Sequence, residues 1–174
     1  MIKNLFLLVL ILSLSSCMVK SSQLNFVKDV FLASKQKGPQ KSWRANWLNQ
    51  IIDFYAINHA DQIIFADERI NIFFANNQIY KVIGLIDKDA ILEINSEGLE
   101  LIYYFNSKKI RTDKCLEKKI ESFNGLTRSI TQQCFIDSSF ENYFNIIEYN
   151  SKGLIRKMVF MVHPKYPSLE LSLK

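Results

Sequence analysis

The side chains able to do chemistry are few: three cysteines, Cys17, Cys115 and Cys134, and two histidines, His59 and His163. Cys115 and Cys134 stand equidistant from Asn124-Gly125, the strongest short hairpin signal, because both central residues of a type I′ turn take positive φ. A two-residue turn centred there sets the two sulfurs opposite each other, Glu121 opposite Arg128 and Phe123 opposite Leu126. The spacing therefore predicts a Cys115–Cys134 disulfide. Counting outward from the turn puts it at a hydrogen-bonded pair, where Cα atoms lie about 5.5 Å apart. Two free buried thiols are the alternative, and no second Cys or His pair nearby completes a metal site.

The remaining candidates assemble no active site. His59 and His163 are far apart in sequence and read as surface residues rather than a triad base or zinc ligand. Asp87-Lys88-Asp89 lacks the other ligands and the glycine of a calcium loop. Glu93, Glu97 and Glu100 become a glycosidase pair only if the fold brings them together. No glycine-rich phosphate loop and no G-x-S-x-G occurs. The expectation is a protein that is not an enzyme and holds no metal or other cofactor. Tyr103-Tyr104-Phe105, Phe140, Tyr143 and Phe144 read as core by alternation, with a sugar- or lipid-binding concavity as the alternative.

The first cysteine carries an address. Lys3 supplies a positive n-region, and Leu5 to Leu14 is apolar apart from Ser13, too short to span a bilayer and the right length for a signal-peptide core. Leu14-Ser15-Ser16-Cys17 resembles the bacterial lipobox. In that chemistry the chain is cut before Cys17, whose thiol takes a diacylglycerol and whose amine takes a further acyl chain. Each buried methylene contributes about 0.8 kcal/mol, so two or three chains anchor a domain firmly. An ordinary secreted protein with a chance cysteine is the alternative. Met18 stands where an aspartate would favour inner-membrane retention, so the expected location is the outer membrane, periplasmic face. That compartment also permits disulfides.

These residues need elements to position them. With 48% hydrophobic and 22% charged residues, 5 Gly and 3 Pro, the chain is built to fold, and its net charge of +5 is too dispersed for a nucleic-acid surface. The predicted organisation is a signal peptide over 1–16, a lipidated tether over 17–23 and one β-rich domain over 24–174. Leu24, Val27, Val30, Phe31 and Ala33 predict an amphipathic N-terminal helix. Trp43 and Trp47 follow at helical spacing. From Gln50 onward, Ile-rich and aromatic runs separated by Asn, Asp, Gly and Ser predict up to ten strands, one of them continuous from Lys109 to Phe123, with one helical turn at Asp87–Leu92. Short turns such as Asn76-Asn77 and Asn150–Gly153 force antiparallel neighbours. The predicted fold is mainly β, an antiparallel meander curled into a partly open barrel.

The segment from Phe65 to Leu85, with its acidic Asp67-Glu68 turn, strand, Asn76-Asn77 turn and returning strand ending in Gly84-Leu85, resembles the first hairpin of the group 4 capsule polysaccharide lipoproteins, the YjbF-like family. Asn150 to Lys174 is similar to that family's closing hairpin. Asn77 departs from the glycine usual there, and Phe65 lies near a usual tryptophan. The resemblance implies an outer-membrane lipoprotein that works with exopolysaccharide or capsule export proteins, and it supplies no catalytic residues. The expected role is non-catalytic assistance in that assembly or export. The competing expectation is a periplasmic carrier or chaperone that holds an acyl chain inside the curled sheet.

Overall fold

The computed structural model describes residues 42–136 and 141–174. The signal segment 1–16, Cys17, the tether 17–23, the helix predicted from Leu24 to Ala33 and Phe140 lie outside the described residues.

The described chain is a succession of strands, β1 (Trp43–Trp47), β2 (Gln50–His59), β3 (Gln62–Ala66), β4 (Asn71–Ala75), β5 (Gln78–Ile83), β6 (Ile91–Glu97), β7 (Glu100–Phe105), β8 (Lys108–Cys115), β9 (Lys119–Phe123), β10 (Leu126–Ile136), β11 (Asn142–Tyr149), β12 (Ile155–Phe160) and β13 (Leu169–Leu173). Every pairing is antiparallel. Two-residue turns explain much of this, since left-handed φ at Asn76 (51°), Asn77 (57°), Asn124 (50°) and Gly125 (75°) matches the twist of the flanking strands. Gly84 answers a different need. At φ 80° its α-carbon lies so close to the Arg69 carbonyl that a β-carbon would sit 2.1 Å from the oxygen.

The sheet closes completely, where a partly open barrel was expected. Neighbours run from β1 to β8 in sequence order, β8 pairs with β10, β10 with β11, and β13 returns to β1. Closure gives a twelve-strand ring, with β9 outside it. The long β10 explains how: one of its edges is shared, Cys134–Ile136 bonding to β8 and Leu126–Thr131 bonding to β9. The strand predicted over Lys109–Phe123 is therefore broken at Leu116–Lys118, and β9 with the start of β10 forms a hairpin that leaves the ring.

Two other expectations change. Trp43 and Trp47 belong to a strand, not a helix, because residues four apart share a face in both periodicities; Trp43, Ala45 and Trp47 all point inward and are buried. Asp87–Leu92 is not helical throughout. Ala90 N–H bonds back to the Asp87 carbonyl (2.9 Å) in a single turn, and β6 begins at Ile91.

Inward residues such as Phe54, Phe65, Ile72, Ile79, Leu92, Ile147, Met158 and Leu171 pack together and fill the ring. The outer wall carries ion pairs, Arg44–Asp53 (3.1 Å), Lys81–Glu93 (3.0 Å) and Lys157–Glu170 (3.0 Å). Apolar inside and charged outside is the reverse of a membrane-spanning barrel.

Candidate functional site

The disulfide is present. Cys115 and Cys134 are direct cross-strand partners joined through sulfur, with Cα atoms 3.9 Å apart. The pair is non-hydrogen-bonded, contrary to the count from the turn, because Leu116 N–H bonds to the Gln133 carbonyl (2.8 Å) one residue along. The register explains the change. Phe123 faces Leu126 as expected, but a bulge at Arg128 shifts Glu121 opposite Ser129, and an extra residue within Leu116–Lys118 shifts the strands back before the cysteines. The Arg128 guanidinium instead lies over the Phe123 ring, 5.5 Å from its centre. The β8–β10 seam that closes the ring has only the Cys134, Phe135 and Ile136 pairs, so the covalent link crosses one of the shortest ladders in the barrel.

Beside it lies a buried polar chain that the sequence reading missed. In β8, Arg111 and Asp113 alternate onto the inner face, and Asp113 is wholly buried. Arg111 Nη2 donates to Asp113 Oδ2 (2.6 Å), and Tyr143 donates its hydroxyl to the same oxygen (2.8 Å). The 2.6 Å contact between the Tyr103 and Tyr143 hydroxyls then has Tyr103 as donor. Arg111 also sits 5.5 Å from the Tyr103 ring centre, and its Nη1 reaches the Pro164 carbonyl (3.4 Å). Burial first, and the Asp113 charge further, push both phenols well above the usual tyrosine range, so they stay protonated. Neutral donors around a carboxylate and a guanidinium stitch β7, β8 and β11 together.

His163 is buried, not on the surface. Its Nδ1 accepts from the Lys165 N–H (3.1 Å), and its ring packs on Tyr166 (4.8 Å) and Phe105 (5.9 Å). Burial, and then Lys165 and Arg111, lower its pKa from the ordinary 6.5. With Ile86, Ile110 and Pro164 it borders a cleft of about 290 Å³. His59 ends β2, at the opposite end of the barrel, so the two histidines do not meet. Glu97 and Glu100 do face each other across the β6–β7 hairpin, while Glu93 is tied to Lys81. Among the described residues no group of three or more His, Cys, Asp or Glu is placed to hold a metal.

Two larger clefts lie at the other end, where the described chain begins at Ser42 and the strands β2–β3, β4–β5 and β6–β7 turn. The β5–β6 ladder stops at Lys81–Glu93 after three pairs, and Tyr80 is bulged out of register. The strands then part around a cleft of about 460 Å³, bordered by Asn76, Gln78 and Tyr80 on one side and Asn95, Ser96 and Glu97 on the other. Gln78 Nε2 spans the gap to the Ile94 carbonyl (3.4 Å). Across the Ala75–Asn77 turn a second cleft, about 360 Å³, is bordered by Asn58, Asp61 and Gln62. Compared with protein-family models, curated proteins and solved structures, the chain matches none.

Proposed function

We propose that the chain is a lipid-anchored protein of the outer membrane, acylated at Cys17, whose barrel serves as a non-catalytic accessory in exopolysaccharide or capsule assembly or export by docking on partner envelope proteins. The observation that carries the docking role is the β9–β10 hairpin. Apart from the short stretch where β5 and β6 part, the ring is laddered all round, whereas β9 keeps one whole edge unpaired among the described residues, and all five of its residues are exposed. Ile120 (61%), Phe123 (60%) and Leu126 (42%) offer large apolar side chains to solvent. An unpaired edge flanked by exposed apolar side chains suits strand addition by another protein. The lipobox and the family resemblance support the location and the polysaccharide context. The acyl-chain carrier is the weaker reading, because packed side chains occupy the interior where a chain would lie.

Deletion of the gene, followed by measurement of cell-surface polysaccharide, tests the role. Loss is expected, with restoration by the wild-type chain and not by Ile120→Asp/Phe123→Asp, whose exposed positions leave the fold intact. Unchanged polysaccharide together with defective lipoprotein sorting would reject the accessory role in favour of the carrier. Radiolabelled palmitate should enter the wild type and not Cys17→Ala; equal labelling would remove the anchor.

A further inference from the structure

We infer that the two clefts astride the β4–β5 turn form one groove that binds an uncharged oligosaccharide chain. The assignment rests on the exopolysaccharide reading for the source of the saccharide, and on the chemistry of the clefts for its class. Both clefts lie at the Ser42 end, share Ala75 and Asn76, and fall in the size range of small-molecule sites, about 300–1,000 Å³.

Amide side chains border the groove along its length: Asn58 and Gln62 in the second cleft, Asn76 at the shared turn, Gln78 and Asn95 in the first. A primary amide donates and accepts in one plane, as vicinal sugar hydroxyls require, whereas an aliphatic or cationic wall does not. Three of the amides along this turn are also held. Tyr80 donates to Gln62 Oε1, leaving the Gln62 amino group as a donor. Gln78 spends one amino hydrogen on the Ile94 carbonyl and keeps its oxygen as an acceptor. Tyr149 donates to Asn77 Oδ1 (3.3 Å) and so orients that amide too. Pre-set donors and acceptors lower the ordering cost of binding.

The charges decide between classes of saccharide. Asp61 and Glu97 border the two clefts. Lys118, whose ammonium reaches the Asn76 carbonyl (3.4 Å), is turned to the backbone, and burial lowers its pKa. The two carboxylates outnumber this one ammonium, so the groove disfavours uronates and sulfated sugars and favours a neutral chain. An extended peptide is the poorer fit, since strand-like binding draws specificity from apolar pockets for alternate side chains, whereas residues with amide, hydroxyl or carboxylate groups outnumber apolar ones along this lining, and the apolar surface that Ile63 and Phe74 add suits the faces of sugar rings.

The test uses the mature chain from residue 17, carrying Cys17→Ser and labelled with ¹⁵N, because Asn and Gln amino groups report directly in proton–nitrogen spectra. The probes are cellohexaose, maltohexaose, the hexamer of N-acetylglucosamine, and fragments of the surface polysaccharide of the expressing cells. The side-chain signals of Gln62, Asn76 and Asn95 should move with at least one probe. Asn95→Ala, at an exposed position, should weaken that binding roughly five- to tenfold, the loss of one or two hydrogen bonds. Glu97→Gln should admit acidic fragments that the wild type rejects. No movement with any probe at about 10 mM, movement confined to the His163 cleft, or tighter binding of an unstructured peptide would overturn the groove. Saccharide binding with unchanged polysaccharide on deletion would leave the groove standing and remove the accessory role. Lost polysaccharide without saccharide binding would do the reverse.

Discussion

At the scale of single residues, two side chains separate what the barrel tolerates from what it uses. The Thr112 hydroxyl is buried on the outer wall, opposite Ile102, and has no hydrogen-bond partner among the described residues. Thr112→Val keeps the β-branched shape and removes the unpaired oxygen. It should raise stability by about 1 kcal/mol in urea unfolding; an unchanged or lower midpoint would mean the hydroxyl is satisfied in solution. His163 acts in the opposite sense. Its folded pKa lies below the ordinary 6.5, so the unfolded chain takes up a proton first as pH falls. The stability held by the neutral ring is complete above about pH 6.5 and declines below it. Asp53 also has a lowered pKa, through hydrogen bonds from Lys174 and then Arg44, but its window opens only below 3.8. The melting temperature should therefore fall between pH 7 and 5, and fall less in His163→Gln; parallel profiles would show that the ring is not what titrates.

At the scale of elements, the disulfide and the hairpin beyond it divide stability from recognition. Cys115 and Cys134 are 19 residues apart, and closing a loop of that size contributes about 3 kcal/mol in the chain-entropy model. The Cys115→Ser/Cys134→Ser variant should lose that much, and because the link crosses the three-pair seam, amide exchange should rise first along β8 and the end of β10. A uniform rise would place the weak point elsewhere. The hairpin was legible before the structure because Asn124-Gly125 states its own turn and the cysteines check the register. The bulge at Arg128 was not, since nothing local distinguishes a bulged arginine from a paired one. β1 was hidden by Leu48-Asn49, whose positive φ values (49° and 61°) come from a residue pair that carries only half a turn signal. The amide groove was hidden for a related reason. Asn76 and Asn95 are what turns and strand ends ordinarily contain, and only the parting of β5 from β6 puts them on a shared opening. The buried Arg111–Asp113 pair defeats sequence reading more generally, because a charged run in a strand normally faces water.

At the scale of the molecule, closure depends on the last strand meeting the first. β13 pairs with both β12 and β1, Lys174 N–H bonds to the Ser42 carbonyl (2.9 Å), and Leu169 and Leu171 are fully buried. Removing residues 169–174 would therefore do two things at once, deleting core volume and exposing the edges of β12 and β1. The two effects can be separated. Leu171→Ala keeps both ladders and removes only a buried side chain, a loss of about 2–5 kcal/mol, so this variant should elute as the wild type does, with a lower melting temperature. The truncated chain should instead form larger assemblies than the wild type in size-exclusion chromatography, because the full-length edges of β12 and β1 are added to the short ones the intact chain presents. A truncated chain that elutes as the wild type does, with the same loss as Leu171→Ala, would show that closure of the ring does not govern association. An open edge would then no longer single out the hairpin for a partner, and docking would have to be sought on the outer wall at Phe135 and Phe144, both partly exposed.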